Sequence, residues 1–305
     1  MRVVMSGYFG FDNVGDEAIL FSIIRALRKW EPAVEITVLS NNPEETAATY
    51  GVQAINRWKL GQIRTALKSA DGLISGGGSL MQDQTSGKTI PYYAAIIKMA
   101  QLAKVPVFVY AQGMGPINKG LNKWIVKSVF NKCAGITVRD EESRALLEAI
   151  GVRGNVAIVP DPVVGLGGEG FTSKWLDTWR GGLVKAGVDS DLVKAEKIDV
   201  EAGDYITVSV RDWPTDVDYK AKIAVSLDAL AATGYSIVFI PMHGEHDAKS
   251  SADVARMMHA ESTIAPADLP IEEKIAVIGQ SKLLIGQRLH SLIFSAIEHT
   301  PFIAL

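Results

Sequence analysis

The sequence predicts an α/β fold with two Rossmann-like domains that face a cleft. Strand patterns and amphipathic helical patterns alternate along most of the chain, which is typical of mostly parallel sheets joined by crossover helices. Glycine-rich loops follow several of the predicted strands, where sheets of this kind bind ligands. The alternation stops near 160–170 and resumes at 205, and 305 residues are enough for two such domains.

The first half begins with a short apolar strand, and the helix after it repeats Ile19, Ile23 and Leu27 at helical spacing. The remaining elements alternate in the same way until Pro160 and Pro162 end the pattern. Strands are expected near 2–6, 34–39, 71–75, 107–111, 134–138 and 156–159, and helices near 16–30, 43–50, 60–69, 90–103, 119–132 and 140–149.

The second half follows a glycine-rich stretch and an amphipathic helix that contains Trp175 and Trp179. Strands are expected near 205–210, 235–240, 263–265, 282–285 and 301–305, and helices near 217–232, 247–259, 271–279 and 289–298. We therefore predict an N-terminal Rossmann-like domain over 1–164, a linker and variable helical region over 165–203, and a C-terminal Rossmann-like domain over 204–305. The final apolar run predicts the start of a buried strand, so we expect the natural chain to continue beyond Leu305.

Composition excludes several classes of protein. The net charge is −3, from 31 basic and 34 acidic residues, so no overall positive field favours nucleic acid. A lone cysteine, Cys133, excludes an internal disulfide framework and fits a reducing compartment. There is no secretion-signal pattern and no apolar run of membrane-spanning length. We expect a cytoplasmic protein, whose Trp175–Trp179 helix either contacts the inner face of the cell membrane or packs as interdomain core.

Three glycine-rich loops are candidate anion-binding elements, because free N–H groups and helix dipoles meet at the carboxyl edge of a parallel sheet. The candidate binding residues are Gly7, Asn13, Gly15 and Asp16 in the first loop, Gly76, Gly77, Gly78, Ser79, Gln82 and Asp83 in the second, and Gln112 and Gly113 in the third. The consecutive glycines of the second loop predict an anion nest, although a tight turn is the alternative. The spacings match neither a dinucleotide fingerprint nor a P-loop.

Basic residues follow strands in both halves. Arg139 and Arg211 occupy similar strings, Val-Arg-Asp after an apolar strand, although chance repetition accounts for so short a string equally well. Arg288, His290 and Ser291 follow another strand and open a helix, where arginine binds carboxylate or phosphate and histidine transfers protons.

A second histidine, His243, invites a metal-binding interpretation with its neighbours His246 and Asp247. The spacing fits neither a helical zinc motif nor a zinc finger. We instead expect Asp247 to cap the following helix and His243 to line the cleft. We predict no metal and no cofactor.

Taken together, these segments resemble the polysaccharide pyruvyl transferase family and, within it, the bacterial CsaB-type ketal pyruvyltransferases. The matching segments are 7–20, 75–83, 112–116, 138–143, 160–163, 208–211 and 287–291. The resemblance implies a glycosyltransferase-B-like fold and the transfer of pyruvate from phosphoenolpyruvate to two hydroxyls of a sugar. For CsaB-like members the acceptor is β-linked N-acetylmannosamine on a lipid-diphosphate-linked cell-wall precursor, and the 4,6-ketal anchors surface-layer proteins. A basic residue that the family carries after the 301–305 strand is absent from this sequence.

This chemistry fits the residues. Phosphoenolpyruvate carries a carboxylate and a phosphate that arginines bind well, which favours Arg139, Arg211 and Arg288 as its ligands. His290 is the candidate acid that protonates the methylene carbon, and Asp16 and Asp83 are candidates for orienting or deprotonating acceptor hydroxyls. Two alternatives remain open: a two-domain glycosyltransferase that uses a nucleotide sugar, and a non-catalytic module that binds a sugar or an anion.

Overall fold

A computed structural model describes residues 1–84, 86–181, 204–213 and 218–305 of the protein. The chain divides into two compact units, Met1–Gly165 and Leu166–Leu305. Each unit contains its own parallel sheet with helices between successive strands. The predicted α/β class with two Rossmann-like sheets is therefore confirmed.

The first unit contains a seven-stranded parallel sheet with the order β3-β2-β1-β4-β5-β6-β7. The strands are β1 Arg2–Phe9, β2 Glu35–Ser40, β3 Gln53–Asn56, β4 Gly72–Gly76, β5 Val107–Gln112, β6 Gly135–Val138 and β7 Val156–Ile158. The helices are α1 Val14–Trp30, α2 Pro43–Tyr50, α3 Leu60–Ser69, α4 Thr89–Leu102, α5 Gly120–Phe130 and α6 Glu141–Ala149, and a short 3₁₀ helix covers Pro162–Leu166. The sequence prediction did not include β3, which pairs with β2 at the edge of the sheet.

The core of the first unit forms because the central strands are apolar on both faces. Val4, Leu73 and Val109 are all buried and pack with apolar residues of α4 such as Ile97. Burying these side chains on both faces of a parallel sheet is the main source of its stability. The carboxyl ends of the strands are thereby held on a rigid platform.

The second unit contains a five-stranded parallel sheet with the order β10-β9-β8-β11-β12. The strands are β8 Tyr205–Ser209, β9 Ser236–Phe239, β10 Ser262–Ile264, β11 Leu283–Gly286 and β12 Phe302–Ala304. The helices are α7 Lys174–Arg180, α8 Tyr219–Ala231, α9 Gly244–Met257, α10 Ile271–Gly279 and α11 Leu289–Ile297. The predicted strand at the end of the chain forms, but Phe302 and Ile303 are exposed rather than buried, because β12 is an edge strand of this sheet.

The helix α7 forms as predicted and packs within the second unit. The Trp179 indole is buried and its Nε1 donates to Thr263 Oγ1 at 3.1 Å. Trp179 is therefore not available to a membrane surface. The rest of the predicted variable region, 182–203, lies outside the described residues. In the part of the chain that the structure describes, no helix has the length and apolar character that crossing a membrane requires.

A buried lysine joins two loops at the carboxyl edge of the second sheet. Lys274 in α10 donates from Nζ to the carbonyl oxygens of Pro241 at 2.9 Å, Ala267 at 3.1 Å and Pro266 at 3.4 Å. Pro241 follows β9, and the other two follow β10. Burial lowers the pKa of Lys274 from 10.5 to about 8, against the attraction of Asp268 and Asp247.

The low pKa of Lys274 predicts a specific pH dependence of stability. Between pH 8 and 10.5 the unfolded chain holds this proton while the folded protein loses it, so the Lys274 contribution to stability rises with pH. We expect Lys274→Met to lose this rise, so that its melting temperature falls behind that of the wild type across this range. Calorimetry at several pH values measures it. The control is Lys282→Met at an exposed position, and equal slopes in all three proteins would contradict the assignment.

Candidate functional site

In both units most of the predicted site residues lie at or near the carboxyl edge of the sheet, and several of them flank the point where the strand order reverses direction. In the first sheet the reversal lies between β1 and β4, and in the second between β8 and β11. The loops that follow these strands diverge there and leave a crevice that typically binds ligands. Each unit therefore presents one candidate site.

Hydrogen bonds to the Glu17 side chain hold the loop after β1 in place. Glu17 accepts from Gly10 N at 2.7 Å and from Tyr50 Oη at 2.8 Å. Burial raises its pKa. Asn13 caps α1 by accepting from Gly15 N at 3.2 Å. Two of the predicted binding residues, Asn13 and Gly15, thus build the start of the helix.

Glycines of the loop after β4 allow α1 to approach it closely. Gly77 and Gly78 have φ values of 72° and 64°, which favour glycine. A Cβ on Gly77 would lie 2.0 Å from Ile19 Cγ2, and one on Gly78 would lie 2.6 Å from Asp16 Oδ1. A Cβ on Gly76, the last residue of β4, would be 3.2 Å from Ile23 Cδ1. The run therefore has a packing function, and it brings the Asp16 carboxylate against the Gly78 backbone.

The N–H group of Gly77 in the predicted anion nest and that of Gly113 in the third loop are already used. Gly77 N donates to Tyr110 O at 3.0 Å, and Gly113 N donates to Gly78 O at 3.0 Å. These bonds join the loops that follow β4 and β5. An anion at this edge would therefore need other donors, and the structure supplies a side chain.

That side chain is Arg139, which follows β6. Its Nη2 donates to Ser79 Oγ at 3.1 Å, and its Nε lies 3.5 Å from Asp140 Oδ2. A Cβ on Gly113 would lie 2.7 Å from the Arg139 Nε and Nη2 atoms, so glycine leaves room for the guanidinium in this position. The candidate site of the first unit thus brings together Asp16, Gly78, Ser79, Gly113 and Arg139.

Other predicted residues of the first unit have structural partners. Gln112 is fully buried and its Nε2 donates to Ser75 O at 2.8 Å and Ser75 Oγ at 3.0 Å, joining β5 to β4. Gly7 lies within β1, where a Cβ would be 2.2 Å from the Phe9 ring. Gln82 accepts from Gln84 N at 2.9 Å.

Asp83 holds the residues that precede α5 in place. Its carboxylate accepts from the N–H groups of Asn118 and Lys119, each at 2.9 Å for the shorter contact, and from Asn122 Nδ2 at 2.9 Å. These hydrogen bonds lower its pKa to about 2, those from Asn118 and Lys119 contributing most. A carboxylate with so low a pKa is a weak proton acceptor. Of the two predicted carboxylates, Asp16 is therefore the better candidate base.

The candidate site of the second unit is built on a buried ion pair. Asp247 Oδ2 accepts from Arg288 Nε at 2.9 Å, and Asp247 Oδ1 accepts from Arg288 Nη2 at 2.6 Å. The Asp247 side chain is 1% exposed, and Oδ2 also accepts from Met242 N at 3.2 Å. The prediction that Asp247 caps α9 is wrong, because the helix begins at Gly244 and its N-cap residue is His243.

Arg211 lies close enough to Arg288 for the two cations to interact. Burial, and then repulsion by Arg288, lower the pKa of Arg211. Its guanidinium carbon lies 4.4 Å from the centre of the Trp213 ring, and its backbone N–H donates to Gln287 Oε1 at 2.9 Å. Two arginines thus share one buried carboxylate, which leaves a net positive charge at the switch point of the second sheet.

The histidines occupy helix N-termini at the same edge. His290 lies in the first turn of α11, two residues beyond Arg288, and is half-buried. Ser291 is buried and its Oγ donates to Arg288 O at 2.6 Å. The ring of His243 lies 5.3 Å from that of His246. Among the described residues, no three His, Cys, Asp or Glu side chains form a group that could hold a metal.

The repeated Val-Arg-Asp string places both arginines at the carboxyl edge of a sheet, but after strands in different positions, and its two aspartates differ in their partners. Arg139 directly follows β6 and Arg211 lies just beyond β8. Asp140 caps α6 by accepting from Ser143 N at 2.7 Å, whereas Asp212 is exposed and pairs with Lys220 at 2.9 Å.

Comparison with known proteins identifies a family and a fold. The model of the polysaccharide pyruvyl transferase family matches residues 13–305. No curated protein sequence matches the chain significantly. Solved structures share its fold at low sequence identity.

Three of these structures illustrate the fold. S. aureus MnaA, solved with UDP, has a TM-score of 0.61 at 12% identity, covering 100% of this chain and 79% of that one. A UDP-GlcNAc 2-epimerase from Neisseria meningitidis bound to UDP-GlcNAc has a TM-score of 0.60 at 13% identity, covering 100% and 82%. E. coli ADP-heptose lps heptosyltransferase II has a TM-score of 0.52 at 13% identity, covering 100% and 84%. These values show a glycosyltransferase-B-like fold.

The loop after β4 is packed so tightly that adding one methyl group to it should lower the stability of the protein considerably. Gly77→Ala combines left-handed backbone with a clash against Ile19, so we expect the free energy of unfolding to fall by about 3 kcal/mol. Denaturation followed by circular dichroism measures it. Gly61→Ala in α3 is the matched control, because nothing lies within 4 Å of its Cβ. Equal stability of the two variants would refute this packing argument.

Proposed function

Because the chain belongs to the polysaccharide pyruvyl transferase family, we propose that it transfers pyruvate from phosphoenolpyruvate to two hydroxyls of a sugar. The product is a cyclic ketal, and inorganic phosphate is released. The observation that supports this reaction best is the pairing of Arg211 and Arg288 around one buried carboxylate. A ligand with two anionic groups would offset the remaining positive charge at that point.

In this proposal Arg211 and Arg288 bind the donor. Guanidinium groups form bidentate hydrogen bonds with carboxylate and phosphate, and phosphoenolpyruvate carries both. Asp247 holds Arg288 in one orientation through two hydrogen bonds. The donor would therefore meet a preorganised cation, which reduces the entropic cost of binding. Arg139, held by Ser79 in the first unit, is the third proposed donor ligand.

His290 is the proposed general acid. It protonates the methylene carbon of phosphoenolpyruvate, which becomes a methyl group and leaves an oxocarbenium-like centre at the adjacent carbon. One sugar hydroxyl attacks that centre and loses its proton to a base, for which we propose Asp16. The second hydroxyl then displaces phosphate, transfers its proton to the departing phosphate and closes the ketal. Nearby arginines stabilise the charge on the leaving phosphate.

We propose a CsaB-type acceptor, namely β-linked N-acetylmannosamine of a lipid-diphosphate-linked cell-wall polymer precursor, converted to its 4,6-ketal. This acceptor rests on the sequence resemblance. The enzyme would then work in the cytoplasm, at the inner face of the membrane where such lipid-linked precursors are exposed.

Ligand-dependent stabilisation separates this function from its alternatives. A ligand that binds the folded protein raises the melting temperature by mass action. We expect phosphoenolpyruvate to raise it and UDP or a UDP-sugar to leave it unchanged, and we expect Arg288→Ala to lose the shift. A response to UDP alone would favour a nucleotide-sugar glycosyltransferase. A response to phosphoenolpyruvate without phosphate release in the presence of a sugar would indicate a non-catalytic module.

Kinetics of two variants distinguish the acid from the residue that orients the arginine. We expect His290→Ala to lower kcat by roughly 10²–10⁴-fold with little change in the KM for phosphoenolpyruvate. We expect Asp247→Asn to act mainly by raising that KM, because Arg288 loses its charged partner. Steady-state phosphate release measures both. Asp253→Asn on the same helix is the control, and near-wild-type turnover of His290→Ala would rule out its role as the acid.

A further inference from the structure

An arginine surrounded by aromatic rings lies at the carboxyl edge of the first sheet. This group, which we name the Arg57 cluster, comprises Tyr8, Phe11, Arg57, Trp58, Tyr92 and Tyr93. Tyr8 is near the end of β1, Arg57 and Trp58 directly follow β3, and the tyrosine pair lies in the first turn of α4. Asp16, near the start of α1, interacts electrostatically with Tyr8 and Tyr93, so the cluster lies near the beginning of that helix.

Arg57 is the centre of the cluster. Its guanidinium carbon lies 4.5 Å from the ring centre of Tyr92, 5.1 Å from Phe11, 5.3 Å from Trp58 and 5.4 Å from Tyr93. Its Nη1 donates to Gly7 O, and its Nη2 donates to Tyr93 Oη, each at 3.1 Å. Cation–π contacts of this kind are strongest when the cation is shielded from water.

Burial divides the cluster into a fixed base and an open surface. Arg57 and Tyr93 are each 3% exposed, and the buried Arg57 Nε has no hydrogen-bond partner among the described residues. Trp58 is 61% exposed and Tyr8 is 37% exposed. Tyr8 stacks on Phe11 with ring centres 4.1 Å apart and an interplanar angle of 6°, and the Trp58 and Tyr92 ring centres are 5.1 Å apart.

Burying the Arg57 guanidinium carries a desolvation penalty. The arginine holds several rings in fixed positions, while Tyr92 Oη donates to Arg57 O at 2.9 Å and fastens the loop after β3 to α4. Trp58 and Tyr8 are thereby held in place as the two exposed rings of the cluster. Asp16 interacts electrostatically with Tyr8 and Tyr93, so a carboxylate lies beside this surface.

We propose that Trp58 and Tyr8 form the subsite for the pyranose ring of the acceptor sugar. One face of a pyranose carries C–H groups that pack on an aromatic ring, while its hydroxyls remain directed to polar groups such as Asp16. The inference rests on the proposed function, since it assigns the acceptor to this part of the first unit. It makes Trp58 and Tyr8 binding residues, and Arg57 a positioning residue that acts through them.

The test is a comparison of two exposed tryptophans of the first unit. Trp58 is 61% exposed, and Trp124 on α5 is 64% exposed, so their replacement by alanine removes similar surface. The substrates are phosphoenolpyruvate and methyl β-glycosides of N-acetylmannosamine, N-acetylglucosamine, glucose and galactose. We expect Trp58→Ala to raise the KM for the accepted glycoside at least 10-fold and to leave the KM for phosphoenolpyruvate unchanged. Trp124→Ala should match the wild type, and Trp58→Phe should recover part of the affinity.

A binding measurement keeps the subsite testable if no glycoside is pyruvylated. Such a result would count against the proposed function, and saturation-transfer NMR with the same glycosides would then test the subsite by itself. Sugar signals in the wild type and in Trp124→Ala, lost in Trp58→Ala, would support it. The inference is overturned if no glycoside binds the wild type, or if Trp58→Ala and Trp124→Ala behave alike in either measurement.

Discussion

The buried pair between Asp247 and Arg288 fixes the charged groups at the switch point of the second sheet. Removing a carboxylate from water is unfavourable, and three hydrogen bonds, two from Arg288 and one from Met242 N, offset that cost. Because Nε and Nη2 of Arg288 both donate to Asp247, the guanidinium is held in one orientation. Arg211, whose pKa is lowered by burial and by Arg288, then carries the charge that an anion can neutralise. Donor recognition in the proposed reaction depends on this pair.

The parallel sheets decide where such groups can collect. Loops that follow neighbouring parallel strands meet at one edge, and the reversal of strand order opens a crevice there. In the first unit this edge carries Arg139 with Ser79, together with Asp16 and the Arg57 cluster. In the second it carries Arg211, Arg288 and His290. Lys274 stabilises the loops after β9 and β10 at that edge.

The elements of both sheets could largely be predicted, because long apolar strands and amphipathic helices leave clear periodic patterns. The short strand β3 gives no such pattern, since its four residues, Gln53–Asn56, are only partly buried. It pairs with β2 through tertiary context. Arg139, Arg211 and Arg288 can be proposed as ligand-binding residues from the sequence because each comes shortly after a predicted strand.

Partners distant in sequence could not be predicted. Asp247 and Arg288 are 41 residues apart, and Arg57 meets a tyrosine 36 residues away, so no local pattern signals either contact. The roles of glycines and carboxylates also depend on neighbours. The absence of a side chain at Gly77 leaves space for Ile19. The Asp83 carboxylate is hydrogen-bonded to backbone N–H groups before α5. Loop composition indicates the edge of the sheet, and the packing shows which of the predicted residues already have structural partners.

The most direct test of the proposed reaction is the fate of labelled atoms. Phosphoenolpyruvate with ¹⁸O in its bridging oxygen would be incubated in D₂O with the enzyme and an accepted glycoside, and the products analysed by mass spectrometry and NMR. Protonation of the methylene carbon followed by attack on its neighbour predicts one deuterium in the ketal methyl group and all of the ¹⁸O in inorganic phosphate. Retention of ¹⁸O in the pyruvyl product, or a methyl group without deuterium, would contradict the proposed transfer.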